Sequence, residues 1–351
     1  LGTITFLLVL SFLVFFHELG HFVAARYFGV KVHVFSIGFG KQLFAKEWRG
    51  TTWQFSLIPL GGYVKMKGQD DSNPALIESG DDSYNTKKPW QRIVILFAGP
   101  FANFLLAAIL YFSIAIMGAS TFAAQIGTVQ KDSPAFHAGI LKDDLIVRIN
   151  EHEIKSWEDI GKIIVNSQGA LKFYIKRDNK LIAKTINPHI SDSQNMFKEK
   201  IKKRMIGISP SGKVVQLDLS LSESLVYAYE KTIFSSTMIF QGVQKLIQGI
   251  IPSSEIGGVI TIGKVISDAS QSSIIALFTI TALISVNLGV LNLLPIPALD
   301  GGHIMFNIYE MITKRKPSDK VFMFLTIAGW VILGSLMLLG IYNDINRIFL
   351  K

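Results

Sequence analysis

The chain contains no cysteine, which excludes disulfide bridges and thiolate metal sites and leaves the compartment open. Charge is scarce as well. Asp, Glu, Lys and Arg make up 17% of the 351 residues, against about 25% in ordinary soluble domains. Hydrophobic residues make up 49%, and the mean hydropathy is +0.38. Four stretches hold no charge at all: 1–16 (apolar, apart from the motif treated below, to residue 25), 93–117, 269–299 and 321–343. Each can supply the roughly 20 residues that cross a bilayer core. The composition therefore predicts a polytopic α-helical membrane protein with about four transmembrane helices. The first stretch lacks the basic n-region and small-residue cleavage site of a signal peptide, so it is expected to stay as a helix.

The net charge of +9 is spread along the chain rather than gathered in a patch, which argues against a nucleic-acid partner. Its distribution instead follows a membrane topology. Residues 26–92 hold ten Lys/Arg and residues 314–320 hold four, while the N-terminal end holds none. The positive-inside rule assigns both loops to the cytoplasm and both termini to the outside, and residues 118–268 then face the exterior.

Between the spans the pattern changes. VKVHVFSI, KQLFAKEW, TTWQFSLI and GGYVKM, within 30–66, are short, β-branched or aromatic, and separated by glycines. They predict a small membrane-associated sheet with a hairpin turn at Arg49-Gly50. Residues 126–190 read as a separate α/β domain, in which SPAFHAGILKDDLIVRIN (133–150) orders a turn, a short helix, a glycine and a strand. That order resembles a PDZ domain. KEKIKKR (198–204) reads as a solvated loop, and 225–251 as an amphipathic helix lying on the membrane. The expected division is a first transmembrane helix (1–29), the sheet (30–67), a cytoplasmic loop (68–92), a second span (93–117), the PDZ-like exterior domain (118–190) and an exterior linker with the amphipathic helix (191–268). A third span (269–303), a cytoplasmic loop (304–320), a fourth span (321–343) and a tail (344–351) follow.

The first span runs into Phe16-His17-Glu18-Leu19-Gly20-His21. On a helix, four residues turn about 400° and rise about 6 Å, so His17 and His21 project from one face and can share a metal. HExxH is the pattern of a zinc hydrolase in which the glutamate is the general base. Ionisable groups in a span cost about 2.5 kcal/mol or more each when charged, so a decorative role for three of them is expensive. A catalytic zinc takes a third protein ligand and keeps one position open. Asp300 is the candidate, because it ends the long uncharged stretch in NLLPIPALDGG (292–302), where Pro295 and Pro297 break the helix. Glu310 and Asp319 read as loop residues, and His303 as a packing or hydrogen-bonding group. Asn287 and Asn292 fit either helix–helix hydrogen bonding or contact with a substrate backbone.

FHELGH in the first span, LDG in a later one and a PDZ-like insert between them resemble the site-2 protease family, zinc metalloproteases that cut within membranes. The likeness is closest to the bacterial regulator-of-sigma-E protease subgroup and covers nearly the whole chain, including SVNLGVLNLLPIPALDGGH (285–303). It implies Zn²⁺ held by His17, His21 and Asp300, with Glu18 as catalytic base. It also implies that Gly38-Phe39-Gly40 belongs to a membrane-embedded β element and that Asn287 and Asn292 line the substrate path. Single-pass transmembrane proteins are the substrates so implied, cut in regulated intramembrane proteolysis such as that of anti-sigma factors or remnant signal peptides. The implied place is the bacterial inner membrane, with the active site towards the cytoplasm and the insert on the periplasmic side. One departure is that the best-known member carries two tandem PDZ domains, whereas this chain has room for one. A metal transporter or a membrane-anchored PDZ scaffold are the rival readings. The first does not explain ligands gathered at one level, and the second leaves HELGH and Asp300 without a role.

Overall fold

The computed structural model describes residues 2–69 and 80–349, so residues 70–79 of the expected 68–92 loop lie outside the described residues. The chain divides into two compact units, Leu1–Ile114 with Leu225–Lys351, and Ala115–Ser224.

The first unit begins with helix α1 (Gly2–Tyr27). Its end is a glycine cap: Gly29 has φ +70°, and the Val30 N–H reaches back to the Ala25 carbonyl at 2.8 Å, which satisfies a carbonyl the helix would otherwise leave open. Strands β1 (Val32–Trp48) and β2 (Thr51–Met66) follow as an antiparallel hairpin. Arg49 (φ 52°) and Gly50 (φ 74°) form the two-residue turn, the left-handed geometry that a twisted hairpin favours. The register is broken in mid-strand. Val34–Ile37 lies beside both Gly62–Lys65 and Thr52–Phe55, while Phe44–Trp48 pairs with Thr51–Phe55. Two long strands thus supply the four segments legible in the sequence. The breaks fall at Gly38 (φ +92°) and Gly40 (φ +83°), conformations that glycine adopts at no steric cost.

Helix α2 (Pro89–Ile116) carries Pro100 in its interior. It crosses α1 closely: a Cβ on Gly20 would lie 2.1 Å from the Ala98 carbonyl oxygen, the small-residue contact by which membrane helices approach. After the second unit the chain returns to the first through further helices. Helices Gly2–Tyr27, Pro89–Ile116, Ile274–Asn292 and Asp319–Ile348 are long and apolar enough to span a bilayer, and with its sheets the chain is a membrane protein.

The second unit contains β3 (Ser120–Phe122), β4 (Ile126–Val129), α3 (Pro134–His137), β5 (Leu145–Ile149), β6 (His152–Glu153), α4 (Trp157–Asn166), β7 (Leu171–Arg177) and β8 (Lys180–Ile186). A four-stranded sheet of order β6-β5-β7-β8 packs Ile146, Ile149, Phe173 and Ile175 against Ile160 and Ile164 of α4. Ser156 and Asp159 close a capping box at the start of α4, which satisfies two of its open amides. The unit extends past residue 190. β9 (His189–Gln194) and β10 (Lys200–Met205) form a hairpin, so the KEKIKKR run is largely strand rather than loop. β11 (Ile208–Pro210) and β12 (Val214–Gln216) return to pair with β4 and β3.

Helix α5 (Leu221–Ile247) buries Ala228, Thr232 and Ser235 and exposes Leu225, Val226, Tyr229, Ile233 and Phe234. Its buried side is small and polar and its exposed side apolar, and it is not one of the four span-length apolar helices among the described residues. The third uncharged stretch is not one helix. α6 (Val259–Ser272) and α7 (Ile274–Asn292) meet at Ser273, whose side chain accepts from the Ala276 amide to cap α7. Seven non-helical residues with the two prolines then lead to α8 (Asp300–Thr313) and α9 (Asp319–Phe349). Glu310 and Asp319, read from the sequence as loop residues, lie within these last two helices. Glu310 Oε2 is 2.7 Å from Arg92 Nη2 in a largely buried pair that ties α8 to α2.

Candidate metal centre and active site

His17 and His21, one turn apart on α1, meet Asp300 at the first residue of α8. The Nε2 atoms of the histidines lie 3.2 Å apart, and each is 3.4 Å from Asp300 Oδ2. His21 is 6% exposed. The three ligand atoms all fall within 4.8 Å of one another. A tetrahedral ion with ligand bonds of about 2.0–2.1 Å requires its ligand atoms to stand about 3.4 Å apart, so the separations suit such an ion. Two further features fit a cation. Asp300 Oδ2 is buried with no hydrogen-bond partner. His21 Nδ1 donates to the Ile95 carbonyl at 2.9 Å, so the neutral ring turns the lone pair of Nε2 towards His17 and Asp300.

Local sequence explains why Asp300 arrives there. The prolines end α7, and the chain turns so tightly that a Cβ on Gly301 would lie 2.3 Å from the Leu294 carbonyl oxygen. One on Gly302 would lie 2.3 Å from that of Ile296. Only glycines let the first turn of α8 pack on these carbonyls.

Glu18 points to a different neighbour. It lies against strand β2 of the sheet. Gly62 lies against it: a Cβ there would be 3.2 Å from Glu18 Cγ, 2.7 Å from Val14 Cγ1 and 2.7 Å from the Ser36 carbonyl oxygen. The sheet therefore delivers backbone, without side chains, to the glutamate. Asn292 Nδ2 is 3.3 Å from His17 Nε2, which joins it to the cluster. Asn287 sits five residues earlier on α7, turned about 140° away around the axis, and is not brought in. Phe39 is 44% exposed, stacks on Tyr63 and covers Gly61. Gly38 and Gly40 serve the bend in β1.

Sequence reasoning missed several neighbours. Asn103 Nδ2 is 3.2 Å from His17 Nδ1. A Cβ on Gly99 would lie 2.2 Å from His21 Nε2. Asn103 was visible as the one carboxamide in the second uncharged stretch, a polar group that needs a reason in a span.

HExxH histidines that meet a carboxylate from a second helix make a donor set suited to a metallohydrolase. Comparison with known proteins agrees. The model of peptidase family M50 matches residues 5–336. A Campylobacter jejuni protein named a putative zinc metalloprotease is 47% identical over 97% of this chain and 92% of its own length. A Helicobacter pylori protein of the same description is 40% identical over 97% and 98%. The Caulobacter vibrioides metalloprotease MmpA is 32% identical over 98% and 95%. The chain belongs to peptidase family M50, the site-2 proteases. It is a zinc metalloendopeptidase.

Proposed function

We propose that His17, His21 and Asp300 hold the zinc ion, that Glu18 is the general base, and that the enzyme hydrolyses peptide bonds within transmembrane segments of single-pass membrane proteins. The observation that carries this reading is the convergence of two imidazole Nε2 atoms and an unpartnered carboxylate oxygen at 3.2–3.4 Å. The two histidines lie on a helix that is long and apolar enough to sit in lipid.

Zinc in such a site supplies Lewis acidity, which makes a water nucleophilic near neutral pH and polarises a carbonyl. Glu18 takes the proton of that water and passes it to the leaving nitrogen of the cut bond. A substrate helix must unwind to expose a peptide bond, and each amide left unpaired in lipid costs several kcal/mol. The β1–β2 sheet offers strand pairing in compensation. The segment of it that adjoins the base is Gly62–Val64, because a side-chain-free position faces Glu18 there, with Gly38-Phe39-Gly40 forming the bend behind it. Asn292 adds a carboxamide beside His17 for a substrate carbonyl, and Asn287 lines the path farther along α7.

The Ala115–Ser224 unit acts in this reading as a PDZ-like substrate screen outside the membrane, with no part in the chemistry. The charge distribution supports a bacterial inner-membrane orientation with the active site towards the cytoplasm, and regulated intramembrane proteolysis is the corresponding role. Glu18→Gln is the test. It should retain zinc at the wild-type level and cut a model transmembrane substrate at least a thousandfold more slowly. That factor is on the order of what a positioned acid–base group contributes. Cleavage near the wild-type rate would remove Glu18 from the mechanism.

A further inference from the structure

Helix α2 runs past α1 with a spacing that matches HExxH. Ile95 offers its carbonyl to His21 Nδ1 at 2.9 Å. Gly99, four residues on, leaves room for the His21 ring. Asn103, four residues further, meets Nδ1 of His17 at 3.2 Å. Each imidazole thus has its Nδ1 edge on α2 and its Nε2 edge on Asp300.

The two contacts differ in one respect. A carbonyl can only accept, so Ile95 commits His21 to the Nδ1–H tautomer. A carboxamide can donate or accept, so Asn103 commits His17 to neither by itself. With Nδ2 towards the ring, Asn103 donates to Nδ1 and the proton of a neutral His17 moves to Nε2, where no metal can then bind. Its Oδ1 atom is buried with no hydrogen-bond partner. Rotating the carboxamide by 180° gives that oxygen the Nδ1–H of His17 and frees the Nε2 lone pair for a metal. The side chain is held for this choice. Asn103 is fully buried, and its backbone carbonyl accepts from Ser285 Oγ of α7 at 2.8 Å.

We propose that Asn103 is a positioning residue for the metal centre: by accepting from His17 Nδ1–H it sets the tautomer in which Nε2 binds zinc. The proposal rests on the reading that His17 is a zinc ligand. Partners that fix a ligand's tautomer typically change metal affinity 10–100-fold when removed.

The experiment compares zinc affinity, by competition with a chromophoric chelator on the full-length protein in detergent, for wild type, Asn103→Leu, Asn103→Asp and Asp300→Ala. Nitrogen-15 shifts of labelled histidines report the tautomer independently of activity. Asn103→Leu keeps the volume and removes the acceptor, so its affinity should fall 10–100-fold and the Nδ1–H signature of His17 should weaken. Asn103→Asp keeps an acceptor and cannot donate, so it should hold zinc within about fivefold of wild type. Asn103→Ala replaces the leucine variant should the latter not fold, and the same loss is expected. A purely structural role would impair the leucine and aspartate variants alike. Wild-type affinity in the leucine or alanine variant, or equal loss in both leucine and aspartate variants, overturns the proposal. If Asp300→Ala also binds zinc normally, the ligand assignment is what fails. If Asp300→Ala loses zinc while Asn103→Leu keeps it, the role of Asn103 fails alone.

Discussion

Replacing Gly99 by alanine puts one methyl group where the His21 ring now lies. The added Cβ would stand 2.2 Å from Nε2 and 2.5 Å from Cε1, so the ring or the helix must yield by about 1 Å to reach ordinary van der Waals contact. The ring has little freedom, because His21 is 6% exposed and its Nδ1 is bonded to Ile95. Helix α2 has little either, since Ala98 is pressed on Gly20 one residue away. Metal bonds tolerate deviations of about 0.2 Å, so a shift of that size removes one ligand from a site of three. Zinc affinity should fall on the order of 100-fold or more, as for loss of an orienting partner or worse. Fold stability should respond differently. Overpacking costs about 1–3 kcal/mol, whereas alanine gains about 1 kcal/mol over glycine within a helix. The metal-free protein should therefore melt near wild type while its zinc binding collapses. Chelator competition measures the first quantity and thermal unfolding in excess chelator the second. Wild-type zinc affinity in Gly99→Ala would show that His21 does not hold the position argued here.

Two other substitutions test the supports of the site. Gly62→Val fills the space between β2 and Glu18, so peptide cleavage should drop at least tenfold with zinc content unchanged, a split that parallel kinetics and elemental analysis would reveal. Arg92→Ala strands the Glu310 carboxylate, and breaking a buried pair costs about 3–5 kcal/mol. Denaturation should show that loss, and an apolar replacement of both partners, Arg92→Met with Glu310→Leu, should recover most of it.

Most of the apolar helices and the cluster of His17, His21 and Asp300 were legible because lipid makes polar groups expensive, although the third uncharged stretch breaks at Ser273. His17, Glu18, His21 and Asp300 stand out against uncharged runs, and Pro295 with Pro297 marks where the chain turns Asp300 inward. The four segments of the β1–β2 sheet were legible from their β-branched and aromatic residues and the glycines between them. What escaped depends on partners far along the chain. Gly62 is one glycine among 29 until the fold sets it against Glu18. Asn103 and Gly99 have no local pattern that ties them to HExxH, since the match is between two helices. Strands β11 and β12 are three residues each, and they exist because β4 and β3 wait for them. Glu310 falls in the 304–320 stretch read as a cytoplasmic loop; the fold places it in α8, paired with Arg92.

The central claim is that two histidines from one helix and one aspartate from another hold the metal. Its most direct test is zinc per molecule, by elemental analysis of purified wild-type and Asp300→Ala protein, with monodispersity confirming that both are folded. The account predicts one zinc per chain in wild type and little or none in the variant. An unchanged zinc content in folded Asp300→Ala would contradict it.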